Sequence, residues 1–153
     1  MPSTPNSSQK SKSKQFRLKL PADTQNLDII RKFVAGIAEN MGFSEEEIYK
    51  IELAVDEACS NVVKHAYMTN TKQEHIINIE VKEKNSEIEI IISDKGKGFD
   101  PKKVKRPELE EYMRKMKRGG LGIYLIKELM DKVSFQIKAG VRNEVRMVKY
   151  LKT

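Results

Sequence analysis

The sequence predicts an α+β fold, a two-layer sandwich in which helices cover one face of a mainly antiparallel sheet. Apolar residues recur at steps of two in five short segments and at steps of three and four in three longer ones, as in strands and amphipathic helices. The elements follow the order strand, helix, helix, two strands, loop, helix, two strands, which is typical of this class. A chain of 153 residues is long enough to bury one such core.

The first element is a strand that follows a tail. Residues 1–15 are rich in Lys and Ser, and we expect them to be disordered because they bury too little apolar surface to offset the ordering of the chain. The folded domain is expected to cover residues 16–153. It begins with Phe16, Leu18 and Leu20, which alternate with polar residues as in a half-buried strand and are followed by Pro21.

Two amphipathic helices come next. The first is expected to span Asp23–Met41 and to end at Gly42, because glycine readily adopts the left-handed conformation that often follows a helix. The second begins in the stretch SEEE, where Ser44 and Glu47 have the spacing of a capping box. It is expected to run to about Ala66.

The rest of the chain contains four strands, a loop and a helix. The predicted strands are 76–81, 88–92, 133–138 and 144–151, with turns at 84–86 and 139–140. Residues 121–133, LGIYLIKELMDKV, are expected to be helical because they have a continuous apolar face. The charged stretch 95–118 contains two prolines, and we expect a long lid loop there with one helical turn near 108–116.

The net charge of +7 is concentrated in two segments. Residues 1–20 carry five Lys or Arg and no acid, and residues 95–118 carry ten against four acids, so the rest of the chain has a net charge of −4. These basic residues lie in a tail and a loop, and no stacking aromatic residues interleave with them. A nucleic-acid-binding protein is therefore the disfavoured alternative, and no direct contact with nucleic acid is expected.

The composition also indicates the cellular compartment of the protein. No window approaches the roughly 18 apolar residues of a membrane span, so no membrane contact is expected. The N-terminal segment lacks the apolar stretch of a secretion signal. The single cysteine, Cys59, cannot form an internal disulfide, as is usual in a reducing compartment. We expect a cytoplasmic protein.

Three polar residues of the second predicted helix lie on one line. Glu57, Asn61 and His65 are four residues apart, so they form a stripe about 80° wide beside the apolar face. A carboxylate and an amide at that position can face a cleft between the helix and a loop. The alternative is that both are ordinary solvated residues at the boundary of the buried face.

Two glycine-rich segments flank the predicted lid. In SDKGKGFDP, Asp94 precedes Gly96 and Gly98, which either form a surface turn or let the chain pass close to a ligand. In RGGLGIYLI, a glycine loop leads into a helix, so backbone amides at the helix N-terminus are able to bind an anion, unless the loop is only a flexible joint. The residues of this second segment are Arg118, Gly119, Gly120 and Gly122.

Together these segments contain the parts of a site for a nucleoside triphosphate with magnesium. Such a site needs an oxygen ligand for the metal, a polar group for the base, a cradle for the phosphates and a mobile cover. Asn61 can supply the oxygen, Asp94 the polar group, and Gly120 with Gly122 the cradle. The charged loop can supply the cover.

Three motifs resemble the N, G1 and G2 boxes of the GHKL ATPase superfamily, which includes histidine kinases, gyrase and MutL and has the Bergerat-type ATP-binding fold. They are ELAVDEACSNVVKHAY, DKGKGFDP and GGLGIYLIKELMDKV, in the order of the family. Over residues 16–151 the chain is similar to the short branch that lacks a histidine-bearing helical domain. This is the RsbW-like branch of anti-sigma factor serine/threonine kinases.

The resemblance implies a role for each matched residue. Glu57 would be the general base that takes the proton of an attacking Ser or Thr hydroxyl. Asn61 would bind Mg²⁺, and Asp94 would accept from the adenine amino group of ATP. The residues that would approach the base or the phosphates are Gly96, Gly98, Arg118, Gly119, Gly120 and Gly122.

The resemblance also implies partners. The leading hypothesis is an ATP-dependent anti-sigma factor kinase in a partner-switching circuit, which binds a sigma factor and phosphorylates a STAS-type anti-anti-sigma protein. A homodimer is expected, with the first strand or helix near its interface. The alternative hypothesis is an ATP-binding interaction module without kinase activity that controls a signalling partner.

Overall fold

The structure is a computed structural model that describes residues 13–68, 75–94, 120–138 and 142–152. Within these residues five strands form one sheet and three α-helices pack on one of its faces, which confirms the predicted α+β sandwich. The strands are β1 (Lys14–Pro21), β2 (Ile76–Lys84), β3 (Glu87–Asp94), β4 (Lys132–Lys138) and β5 (Arg142–Tyr150). The helices are α1 (Leu27–Met41), α2 (Glu45–Met68) and α3 (Gly120–Leu129).

The sheet has the strand order β1-β2-β3-β5-β4, and each neighbouring pair is antiparallel. The last strand therefore lies inside the sheet, between β3 and β4. This position buries the backbone hydrogen bonds of β5 on both sides and leaves β1 and β4 as the edges of the described sheet.

The inner face of the sheet, which carries the helices, is apolar in its centre. One row crosses all five strands through Leu18, Ile79, Ile92, Val145 and Phe135. Every residue in this row is apolar and lies in or against the core. Because side chains in a strand alternate between faces, each row of this kind fixes the pairing register. Burial of each large side chain contributes about 1.5–3 kcal/mol.

The two ends of the inner face are polar. At one end Asp94 of β3 lies opposite Asn143 of β5, and at the other end Ile88 of β3 lies opposite Lys149 of β5. Asp94, Asn143 and Lys149 are buried, with exposed fractions of 2%, 6% and 5%. Asn143 and Lys149 are six residues apart on one strand, a separation of about 20 Å.

The helices cover the apolar rows with their own apolar faces. Ile30 and Val34 of α1 and Ile51 and Val55 of α2 are fully buried. The two helices are also joined at their surface, where Arg31 Nη1 donates to Asp56 Oδ1 at 2.8 Å. In the described part of the chain, no helix is both long and apolar enough to cross a membrane.

Two predicted helix ends have the expected residues, with one difference. Gly42 ends α1 with a φ of +99°, and its N–H donates to the carbonyl oxygen of Ala38. The Ser44 hydroxyl accepts a hydrogen bond from the Glu47 N–H at 3.2 Å. A capping box would turn the Glu47 carboxylate back to Ser44, but this carboxylate instead pairs with Lys149 at 3.2 Å.

Several predicted boundaries were wrong by a few residues, among them the ends of β2 and β3, which extend to Lys84 and Asp94. β1 begins at Lys14, inside the expected tail, because Lys14 and Gln15 pair with β2. A 3-10 turn at 24–26, capped by the Asp23 side chain, precedes α1. α3 ends at Leu129, and Val133 pairs with Met147 of β5 instead of continuing the helix. Residues 1–12, the lid at 95–118 and the turn at 139–140 lie outside the described residues.

The outer face of the sheet, opposite the helices, is covered by ion pairs between neighbouring strands. Arg17 pairs with Glu80 at 3.0 Å, and Arg146 pairs with Glu89 at 3.4 Å. The long side chains leave Ile91 only 4% exposed on this face. The exposed Arg17–Glu80 pair contributes about 0–1 kcal/mol, so it serves mainly to keep this face polar, whereas the Glu89 carboxylate is buried and depends on its cationic partners.

Gly36, inside α1, and Gly42, at its C-terminal end, are expected to respond in opposite directions to substitution. Gly36→Ala should raise the free energy of unfolding by about 1 kcal/mol, because alanine is the better helix former and a Cβ there meets no atom within 4 Å. Gly42→Ala should lower it by about 1 kcal/mol, because an L side chain is strained at a φ of +99°. Urea unfolding of both variants tests this, and a stabilising Gly42→Ala would contradict the end of α1.

Candidate functional site

A cleft opens between α2, α3 and the polar end of the sheet. The space between its walls, counted out to where the cleft opens to solvent, is about 440 Å³, and little of it is enclosed. The cleft is lined by Ala58, Asn61, Val62, Ile92, Asp94, Ile126, Phe135, Asn143, Glu144 and Val145. Its walls are mostly apolar and a few polar groups converge on it, which is the usual composition of a small-molecule site.

Asp94 lies at the bottom of this cleft. It is the last residue of β3, and the alternation of that strand places it on the inner face in line with Ile90 and Ile92. Asp94 is almost completely buried, which is rare for a carboxylate. An ionised carboxylate is an acceptor only, so it can select a ligand that presents an N–H donor.

Asn61 reaches the same cleft from α2. Its neighbour Val62 and the residue one turn earlier, Ala58, form the adjacent wall. The structure thus brings Asn61 and Asp94 together, although they are distant in sequence. Glu57 lies one helical turn before Asn61, about 6 Å along the axis, and is half-buried. Glu57 is not part of the cleft wall, and His65 has no described side chain.

The third element that contributes to the cleft is α3. Gly120 and Gly122 occupy its first turn, where the backbone N–H groups have no partner within the helix. Ile126, six residues after Gly120, lines the cleft. The N-terminus of α3 is therefore about 9 Å along the helix from a wall of the cleft. Four further predicted residues, Gly96, Gly98, Arg118 and Gly119, lie outside the described residues.

Sequence reasoning missed the contributions of β4 and β5. Phe135, Asn143 and Glu144 line the cleft, and Asn143 faces Asp94 across the strand pair. The alternation of β5 places Asn143 on the same face as Val145. The pairing of β5 with β3, which brings Asn143 beside Asp94, could not be read from either strand alone.

Cys59 shows which side of α2 faces the core. It lies between Glu57 and Asn61 in sequence, yet it is fully buried. Burial, with a smaller contribution from the Asp56 carboxylate, raises the pKa of the Cys59 thiol far above its ordinary value of 9.0. The thiol is therefore protonated and unreactive, and the opposite edge of the helix is left to face the cleft.

The residues present fit a nucleotide with magnesium. The apolar walls suit a flat heterocyclic base, and the Asp94 carboxylate suits an amino group on its edge. The Asn61 amide oxygen is a hard ligand of the kind that Mg²⁺ prefers. Because Mg²⁺ retains waters and binds phosphate oxygens, one or two protein oxygens are enough.

The chain matches the family model of the histidine kinase-like ATPase domain over residues 20–149. It is also similar to curated proteins named serine-protein kinase RsbW. The relative from Bacillus pumilus is 37% identical, with 89% of this chain and 85% of the relative covered. The relative from Bacillus subtilis is 37% identical, with 93% and 89% covered. The relative from Staphylococcus aureus (strain JH9) is 35% identical, with 93% and 90% covered.

A solved structure has the same fold. It contains the RsbU and RsbW domains of a protein from Mycobacterium tuberculosis and matches with a TM-score of 0.63 at 13% sequence identity. The match covers 92% of this chain and 33% of that longer chain. At this identity the likeness concerns the arrangement of strands and helices alone.

Cys59 is expected to resist a thiol reagent in the native protein and to react fully after denaturation. As the single cysteine of the chain, it gives an unambiguous signal. The control is Asn40→Cys in a Cys59→Ala background, which should react quickly because position 40 is exposed. Rapid labelling of native Cys59 would contradict the orientation of α2 and, with it, the placement of Asn61.

Proposed function

Because the chain belongs to the histidine kinase-like ATPase family, in its RsbW-like branch, we propose that it is an ATP-dependent anti-sigma factor serine/threonine kinase. In a partner-switching circuit it binds a sigma factor and phosphorylates a STAS-type anti-anti-sigma protein. The observation that carries the proposal is the cleft in which Asn61 of α2 meets the buried Asp94 of β3.

The base of ATP is assigned to the apolar part of the cleft. Ala58, Val62 and Ile126 offer carbon surfaces for its faces, and the Asp94 carboxylate would accept a hydrogen bond from the exocyclic amino group. Guanine has a carbonyl oxygen at the equivalent position, which an ionised carboxylate repels. Asp94 therefore favours adenine over guanine. Gly96 and Gly98 are proposed to lie against the base.

The phosphates are assigned to the space between Asn61 and α3. The first-turn amides of α3 at Gly120 and Gly122 would donate to phosphate oxygens, and the positive end of the helix favours negative charge there. Gly119 and Arg118 are proposed to extend this cradle. The Asn61 oxygen would hold Mg²⁺, which when bound neutralises phosphate charge.

Glu57 is proposed to be the general base. Its carboxylate would take the proton of the acceptor Ser or Thr hydroxyl while the hydroxyl oxygen forms a bond to the γ-phosphorus. The bond from that phosphorus to the β,γ-bridging oxygen breaks, and ADP leaves. Since phosphoryl transfer depends mostly on positioning and charge neutralisation, one base beside the metal ligand is sufficient.

A homodimer is part of the proposal, with β1 or α1 near its interface. β1 is an edge strand of the described sheet, so the outer side of its backbone is available for pairing with another chain.

Asn61→Ala and Asp94→Asn are expected to weaken nucleotide binding in distinguishable ways. Asn61→Ala should raise the Kd for ATP about tenfold or more when Mg²⁺ is present and change it little in EDTA, because the lost group is a metal ligand. Asp94→Asn should raise the Kd for ATP and ADP with or without Mg²⁺, because the lost group contacts the base. Calorimetry measures both, with the exposed Asn40→Ala as the control. Unchanged binding by both variants would refute this site.

Glu57→Gln is expected to lower the rate of phosphate transfer at least about a hundredfold while ATP binding is retained, because only proton transfer is removed. Transfer from γ-labelled ATP to a STAS-type protein is the measurement. Glu52→Gln on the opposite side of α2 is the matched control and should transfer normally. If wild type binds ATP but transfers no phosphate, the chain is the interaction module instead.

A further inference from the structure

Lys149 is a buried lysine that the proposed reaction does not use. It lies on the inner face of β5, in line with Val145 and Met147, where the alternation calls for an apolar residue. Burying an ammonium group costs free energy unless it is paired and hydrogen-bonded. Its partners therefore indicate what this residue does.

The partners of Lys149 belong to the ends of two helices. Lys149 Nζ donates to the carbonyl oxygen of Leu129, the last residue of α3, at 2.7 Å. It also lies 3.2 Å from Oε2 of Glu47, in the first turn of α2. The carbonyls at a helix C-terminus have no partner within the helix and carry partial negative charge. We call this arrangement of Lys149, Glu47 and Leu129 the Lys149 junction.

Glu47 is ionised in this junction. Desolvation by burial alone would raise its pKa. The nearby ammonium group of Lys149, with a further contribution from Lys50, outweighs this and holds the pKa of Glu47 below its ordinary value of 4.5. Lys50 Nζ lies 3.4 Å from Oε1, so both carboxylate oxygens face an ammonium group. The junction is therefore a salt bridge at neutral pH.

The segment after α3 is tied to the same strand. The Asp131 N–H donates to the Val148 carbonyl at 2.9 Å, and the Asp131 carboxylate accepts from the Tyr150 N–H at 2.7 Å. Three consecutive residues of β5, from Val148 to Tyr150, thus hold the C-terminal end of α3. These hydrogen bonds fix this end of the helix to the sheet. Of the three residues of β5 that make them, Lys149 is the one that also forms an ion pair with α2.

The junction lies at the C-terminal end of α3, whereas the cleft lies about one turn nearer the N-terminus of α3 and eleven or more residues further along α2. Ile126 of α3 meets Ala58 and Val62 of α2 in the cleft, whereas Leu129 of α3 is joined to Glu47 of α2. The two helices are therefore antiparallel: α2 runs from the junction towards the cleft, and α3 runs from the cleft towards the junction. The first turn of α3 at Gly120 is therefore its end remote from Lys149.

We propose that Lys149 is a positioning residue for nucleotide binding, which sets the N-terminus of α3 against Asn61 by holding the other end of α3 to α2. The proposal rests on the proposed function, in which that N-terminus binds phosphate. A ten-residue helix is about 15 Å long, so a tilt of about 5° at its held end moves its other end by about 1 Å. Errors of this size are enough to weaken aligned contacts.

The test compares ATP with adenosine in variants of the junction. Lys149→Met keeps an unbranched side chain of similar length without the charge. It should raise the Kd for Mg-ATP about tenfold while the Kd for adenosine changes less than about twofold, because Ile126, the contact of α3 with the base, lies one turn from the held end, whereas the phosphate contacts lie at the far end of the helix. Lys152→Met, at an exposed position three residues further on, is the matched control and should change neither value.

Glu47→Gln keeps the side-chain shape and removes only the charge, so it tests the junction in a milder variant. It should shift the ratio of ATP to adenosine affinity in the same direction by a smaller factor. The double variant should shift the ratio no further than Lys149→Met alone, because both changes break one contact. All affinities are measured well below the unfolding temperature of each variant.

A purely stabilising role predicts a different result. If either variant unfolds at a lower temperature but keeps the wild-type ratio of ATP to adenosine affinity, the proposal is overturned. Should Lys149→Met fail to fold, the ratio in Glu47→Gln decides between the two roles. If wild type binds neither ligand, the proposed nucleotide site itself is wrong, and that result is distinguishable from a failure of the junction alone.

Discussion

The pairing register of β3 with β5 is the constraint on which the rest of the structure depends. In this register the central rows of the inner face are apolar, and they are sealed by the buried faces of α1 and α2. A shift of β5 by one residue would turn Arg146 and Glu144 into the core, and a shift of β3 would move Ile88, Ile90 and Ile92 to the charged outer face. Because the apolar rows hold this register, the polar residues at the two ends have defined places: Asp94 and Asn143 at one end and Lys149 at the other.

The same packing decides which residues of α2 are buried and which lie at the edge of its buried side. One side of this helix, with Ile51, Val55 and Cys59, is buried, and the neighbouring edge carries Glu57 and Asn61. The sheet and the buried side hold the helix rigidly, so a functional group on the edge is held with it. Phosphoryl transfer depends mainly on groups that are held in fixed positions around a polyphosphate. A helix packed over an antiparallel sheet holds its side chains in such positions.

Much of the fold could be predicted from the sequence, because the periodicities are local. The steps of two and of three and four residues are visible within single segments, as is the glycine that ends α1. What could not be predicted depends on contacts between distant segments. Glu47 has the spacing of a capping residue, but a buried lysine about a hundred residues later provides a stronger partner for its carboxylate. In the same way Val133 continues a helical pattern, but pairing with β5 makes it part of a strand. At the site, Asn61 and Asp94 could be picked out from local patterns and both line the cleft, whereas Asn143 required knowledge of the register.

The most direct test of the nucleotide cleft is a titration of isotope-labelled protein with Mg-ATP, followed by amide chemical shifts in NMR spectra. The cleft assignment predicts that the largest shifts fall on residues 58–62 of α2, on Asp94, on the first turn of α3 and on 143–145 of β5. Residues of the outer face, such as Arg17 and Arg146, should serve as an internal control with small shifts. Shifts confined to that outer face, or no shifts at saturating ATP, would contradict the account.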